Sequence, residues 1–209
     1  MADTSANRSL RDWRASLLRL TGTEQAAAAW REGRYDFALR LGQALTARTP
    51  SGLPPVTGHV VYGVWLEWGL LYIGQSASAG RRLRDLPVGE SHHLANTFPP
   101  EIWNRVVVVS WPLLAEAQNL PITPDLIGLG LEHRLQTRLR PLANSSRRKP
   151  TGGWRQVDWE TSRSAGARVA PSLDALFERV LSLWEDAGRA VDESCSTEVC
   201  RVVFPPHLT

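Results

Sequence analysis

The spacing of apolar and polar positions divides the chain into a helical start, a strand-rich middle and a helical end. Leu10, Trp13, Leu17, Leu18 and Leu20 recur near helical spacing, so 6–48 reads as helical. Thr23 is placed to cap a segment running through the alanines to Trp30, and Phe37, Leu41 and Leu45 form one stripe of a second helix over 35–47. The run Thr49-Pro50-Ser51-Gly52-Leu53-Pro54-Pro55 breaks any regular element and reads as a linker. Beyond it the period changes. Val60, Val61, Tyr62, Val64 and Trp65 suit a pleated surface, Gly69 suits a turn, and 70–74 return as the second strand of a hairpin. Ser78 is placed to cap a short helix over 81–86, which Pro87 and Gly89 stop. The valines of 105–111 predict a strand. Thr123 and Pro124 open a helix with a capping hydroxyl and a proline in the first turn, and Leu126, Ile127, Leu131, Leu135 and Leu139 give it one apolar face as far as Arg140. Residues 149–166 predict a loop. Leu176, Val180, Leu183 and Trp184 predict a last amphipathic helix over 173–191. The expected class is α+β, with a helical extension over 1–53, a core over 54–150, and a basic loop segment and helix over 151–209.

Composition adds bounds. At 209 residues, 43% hydrophobic and 22% charged, the chain suits one substantial globular core. No apolar run approaches a membrane span and no leader pattern opens the sequence, so the expectation is a cytoplasmic protein without a membrane partner. Cys195 and Cys200 are too few for a disulfide framework or a zinc site and are expected to be free thiols. The formal charge of +3 is unevenly spread. Residues 131–168 hold nine Arg or Lys against three acids, and 169–209 hold three Arg against seven acids. That distribution suits a phosphate-facing surface on one side, although arginine dominance (Lys149 is the sole lysine) also follows from a GC-rich coding sequence.

The polar residues placed on the middle elements carry the candidate chemistry. Tyr62 lies in the first strand, Tyr72-Ile73-Gly74 closes the second, Arg82 lies on the short helix, Glu132 on the long one, and Asn144 just past Pro141. In this order and on these elements the sequence resembles the GIY-YIG nuclease family over residues 56–150. Tyr72-Ile73-Gly74 matches the second signature tripeptide intact, and Val60-Val61-Tyr62 matches the first with its glycine replaced. Arg82 falls at the family's helix arginine, Glu132 at its metal-binding glutamate, and Arg140-Pro141-Leu142-Ala143-Asn144 at its closing segment. Many members have a histidine one turn after the arginine, where this chain has Leu86; His92 and His93 in the following loop are the substitutes on offer.

The resemblance implies a small, three-stranded, mainly antiparallel sheet flanked by helices, and a metal-dependent endonuclease that hydrolyses phosphodiester bonds. Its layout is similar to type II restriction enzymes of the family, which implies double-stranded DNA as partner and a homodimer or higher oligomer; a structure-specific repair or recombination nuclease and a catalytically silent DNA-binding module are the alternatives. Glu132 is the expected ligand of Mg²⁺ or Mn²⁺, a hard cation that keeps several waters. Arg82 offers a planar fork to two phosphate oxygens, with Arg81 the fallback if the register differs by one. Tyr62 is the expected base, a role that needs cationic surroundings because a free tyrosine titrates near ~10. Tyr72 is expected to hydrogen-bond water or phosphate, and Asn144 to hold the shell in place. Arg81, Arg147, Arg148, Lys149 and Arg155 are the expected DNA contacts. Each position also has a plain structural reading: cross-strand aromatics, surface arginines, a Glu132–Arg82 salt bridge. Trp154 and Trp159, set among basic residues, suit base stacking and loop packing alike.

Overall fold

The computed structural model describes residues 5–89 and 94–208. Two helices open the chain, α1 (Ser5–Thr21) and α2 (Glu24–Thr46). The Thr23 hydroxyl caps α2 by accepting from Ala26 N at 3.1 Å. The two segments expected between Thr23 and Ala47 are one continuous helix: Gly33 sits on open surface, where its lower propensity costs too little to break the rod.

Strands β1 (Val60–Leu66) and β2 (Gly69–Ser76) form the expected hairpin. Helices α3 (Ala79–Val88) and α4 (Leu94–Thr97) follow, then β3 (Arg105–Val109) and α5 (Pro124–Leu139). Neither Ser78 nor Thr123 supplies a side-chain cap, so Pro124, whose missing N–H is one of the unpaired donors of a first turn, is what suits the start of α5. The chain continues through α6 (Leu142–Ser145), a two-stranded ribbon of β4 (Ser146–Arg148) and β5 (Trp154–Gln156), α7 (Ala165–Val169), α8 (Asp174–Arg189) and β6 (Cys200–Val203). Strand β5 lies within the span 149–166 expected to be a loop, and β4 just before it.

The class is α+β. The sheet has four antiparallel strands in the order β2-β1-β3-β6, one more than expected, because the C-terminal strand pairs along β3. Cys200-Arg201-Val202-Val203 is too short to stand out as a strand by periodicity, and its pairing with Val106–Val109 supplies what its pattern does not. Alternate strand residues serve two cores. Val61, Ile73, Val107 and Val109 pack with Leu131 and Leu135 of α5 and with Leu176, Val180 and Trp184 of α8. Val60, Tyr62, Val64, Leu71, Val106 and Val108 pack with Leu41 and Leu45 of α2 and with Leu83 and Leu86 of α3. The sheet is therefore sandwiched between helices, with β2 at one edge. No helix among the described residues is long and apolar enough to cross a membrane. Both cysteines are free, Cys195 exposed and Cys200 buried.

Candidate active site

Tyr62 stands opposite Gly74 and Tyr72 opposite Val64, so the two tyrosines project from one face of neighbouring strands. Their ring centroids lie 6.1 Å apart at 40°. Gly74 is what admits this pair: a Cβ there would lie 2.7 Å from Cζ and Oη of Tyr62 and 2.8 Å from Cε1 of Tyr72. Tyr62 is 1% exposed, and its hydroxyl is hydrogen-bonded to that of half-buried Tyr72. Each hydroxyl can donate or accept, so either oxygen can be the donor of this bond.

Arg82 arrives from α3 on the same side of the sheet. Its charge acts on both tyrosines and on Glu132. The guanidinium Nη1 is nevertheless buried without a hydrogen-bond partner, and no ion pair joins it to Glu132. The salt bridge that would have explained both residues structurally is absent among the described residues. Arg81 is exposed, so the register favours Arg82.

Glu132 comes from α5, which runs beside the free edge of β2. A strand edge presents backbone groups that need partners. Asn144 satisfies both groups of Ile73: its Oδ1 accepts from Ile73 N at 2.8 Å, and its Nδ2 donates to Ile73 O at 3.0 Å. Gln136 Nε2 donates to the same carbonyl at 3.1 Å and to Glu132 Oε1 at 3.2 Å, and the Gln75 backbone N–H donates to the Glu132 carboxylate. Side chains thus act as a substitute strand, and the tyrosine of the Tyr72-Ile73-Gly74 run is fixed through its neighbour. Gln136 and Gln75 were not singled out from the sequence; the readable signal was Gln136 one helical turn after Glu132.

Burial dominates the proton affinities. It raises Glu132 to about 7 against the lowering effects of Arg82, Gln136 and Gln75, and raises Tyr72 to about 12. Tyr62 is pushed well above its ordinary value, mainly by burial and next by Tyr72, and Arg82 does not reverse this. The cationic surroundings expected to activate Tyr62 as a base are outweighed by desolvation, so Tyr62 holds its proton in the protein alone.

Leu86, at the position of the family histidine, is fully buried beside Leu83 in the core under α3. His92 and His93 lie outside the described residues. Arg147 and Arg155 are exposed and face each other across β4 and β5; Arg148 occupies β4 opposite Trp154, and Lys149 is exposed in the connecting turn. The two tryptophans divide: Trp159 is half-buried and packs edge-on against His133 of α5 at 6.0 Å, whereas Trp154 is 70% exposed.

Among the described residues no group of three or more His, Cys, Asp and Glu side chains gathers to hold a metal ion. A lone carboxylate fits a hard cation that keeps most of its waters and takes further ligands from phosphate. The desolvated Glu132 carboxyl, costly to ionise without a counter-charge, has the chemistry of such a ligand.

No family model, no curated protein and no solved structure matches the chain. The functional reading therefore rests on the site itself.

Proposed function

We propose that the protein is a metal-dependent DNA endonuclease of the GIY-YIG type, hydrolysing phosphodiester bonds of double-stranded DNA in the manner of a restriction enzyme. The observation that carries this reading is the buried, unpartnered Nη1 of Arg82, whose charge acts on two tyrosine hydroxyls and a desolvated carboxyl. A permanently charged group in that state is costly until an anion completes it, and its planar fork suits two phosphate oxygens. Arg82 binds the scissile phosphate and offsets the charge that grows on it. Tyr72, on the wall of an adjoining cavity, holds the attacking water or a phosphate oxygen by hydrogen bond, and Tyr62 fixes its position through the bond between the two hydroxyls. Glu132 would hold Mg²⁺ or Mn²⁺, which when bound supplies Lewis-acid polarisation of the phosphate and a more acidic water. Asn144 and Gln136 are positioning residues that fasten the β2 edge. The basic positions 81, 147–149 and 155 bind flanking phosphates. With one such cluster per chain, cutting both strands of a duplex calls for a homodimer or higher oligomer.

Cleavage of supercoiled plasmid in Mg²⁺ or Mn²⁺ tests this reading. Nicking or linearisation is expected, and loss of it with chelator, with Glu132→Ala and with Arg82→Ala, each variant keeping its circular dichroism. Binding without cutting across several divalent metals would instead identify a silent DNA-binding module, the reading favoured by buried Leu86 and by the retained Tyr62 proton.

A further inference from the structure

A cavity of about 560 Å³ opens directly beside Tyr72. Its walls are Leu94 and Phe98 on one side, Leu142 and Ala143 of α6 on another, and the ribbon residue Trp154. The size lies within the roughly 300–1,000 Å³ typical of small-ligand sites, and the lining is mostly apolar and aromatic. Tyr72 belongs both to this cavity and to the hydroxyl cluster, so whatever fills the cavity touches the group that faces the phosphate.

We infer that this cavity receives one unstacked nucleobase of the strand whose phosphate lies at Arg82 and Tyr72. The inference rests on the nuclease reading and names what lies next to the cut bond. Three observations support it. First, Trp154 is 70% exposed although it is the large aromatic at the cavity mouth, and an indole left in water there is free to stack on a flat ring. Second, the same ribbon carries Arg147 directly opposite Arg155, a like-charge pairing that costs stability, with Lys149 in the turn. Among the described residues none of the three makes an ion pair, so this exposed positive charge is free to meet a phosphate. Alternation along the ribbon puts Trp154 and Ser146 on one face and the opposed arginines on the other, so a single thin element offers an apolar wall and phosphate-binding charge. Third, the apolar lining suits the faces of a base and not the sugar-phosphate backbone, which the arginines suit.

The test compares binding of oligothymidylate with binding of an abasic strand of equal length and charge, using the full-length protein with chelator to prevent cutting. Expected is roughly 5- to 150-fold tighter binding of oligothymidylate, the range of one stacked base. That preference should vanish in Trp154→Ala, which empties the cavity mouth, and in Ala143→Trp, which fills the cavity, while affinity for the abasic strand is kept. Equal affinity of the unaltered protein for both strands overturns the inference and leaves the nuclease reading standing. A preference unchanged in both variants places base contacts elsewhere and also overturns it. Binding of neither strand overturns this inference, while the nuclease reading stands or falls separately on plasmid cleavage in Mg²⁺ or Mn²⁺. Two supporting outcomes separate the source of the base: a duplex with a mismatch bound more tightly than a fully paired one assigns the cavity to a base swung out of a helix, and equal binding of the two duplexes assigns it to single strands.

Discussion

Gly74 shows how much of the site depends on an atom that is absent. The ring of Tyr62 lies across the strand on Gly74, and the space that a Cβ would need, 2.7 Å from the Tyr62 hydroxyl, is already filled. If the protein is the nuclease proposed, Gly74→Ala should push the hydroxyl pair apart and lower cleavage by roughly 10²-fold, the cost of a displacement near 1 Å at a reacting centre. Gly80→Ala is the control: nothing lies within 4 Å of its added methyl, so activity should persist and stability rise by up to about 1 kcal/mol, as thermal melts would register. A second prediction concerns Glu132. Burial lifts its carboxyl from 4.5 to about 7, so between those values the folded protein holds a proton that the unfolded chain has released. This contribution to stability is complete below pH 4.5, declines as pH rises and is lost above about 7, an effect of at most about 3 kcal/mol. Urea midpoints of Glu132→Gln should accordingly be flatter than those of the unaltered protein between these pH values. A difference that stays constant from pH 4.5 to 7.5 would sink the assignment of a buried, proton-holding carboxyl.

Among the described residues, Arg147 and Arg155 of the ribbon of β4 and β5 make no ion pair. If Arg147 and Arg155 bind phosphates, each replacement by alanine should weaken duplex binding alike for all sequences and reduce the slope of log affinity against log salt by about 0.9. Titrations at several salt concentrations check this, and an unchanged slope would remove the ribbon from the interface. The ribbon also marks a limit of sequence legibility. Its strands are three residues each, and their polar composition carries no alternation that separates strand from loop. The hairpin of β1 and β2, α5 and α8 were legible because each repeats an apolar period long enough to identify. The side chains at the site were legible by order along the chain, since strands and helices fix where Tyr62, Tyr72, Arg82 and Glu132 project. What could not be read was environment. Burial sets the proton affinity of Tyr62 against the effect of Arg82, and the role of Gln136 emerges only once α5 lies along the open edge of β2.

The assembly of the whole chain makes the middle segment that carries the candidate site dependent on both ends. A core confined to 54–150 would hold the tyrosines, Arg82, Glu132 and Asn144, yet two of the surfaces that support them come from outside it. Leu176, Val180 and Trp184 of α8 cover the sheet face that also receives Leu131 and Leu135, the flanking neighbours of Glu132 on α5. On the opposite face Phe37, Leu41 and Leu45 of α2 pack with Leu83 and Leu86 of the helix that carries Arg82. Strand β6 closes the far edge of the sheet, and its buried Arg201 donates to the carbonyls of Ala44 and Ala47 at 3.3 and 2.5 Å and of Pro54 at 2.6 Å. One guanidinium thereby ties the C-terminal strand to the end of α2 and to the linker that precedes β1. A fragment of residues 54–150 would leave each face of a three-stranded sheet only partly covered, by α3 and α5, and would bare the unpaired edge of β3, which is a template for aggregation. It should fail to give a cooperative thermal transition and should elute as aggregate in gel filtration, while the full chain melts in one step. A soluble 54–150 fragment with a sharp transition would show instead that the ends are accessories to an independent core. In that outcome the contacts of α2, α8 and β6 would serve some purpose other than holding Arg82 and Glu132 in place.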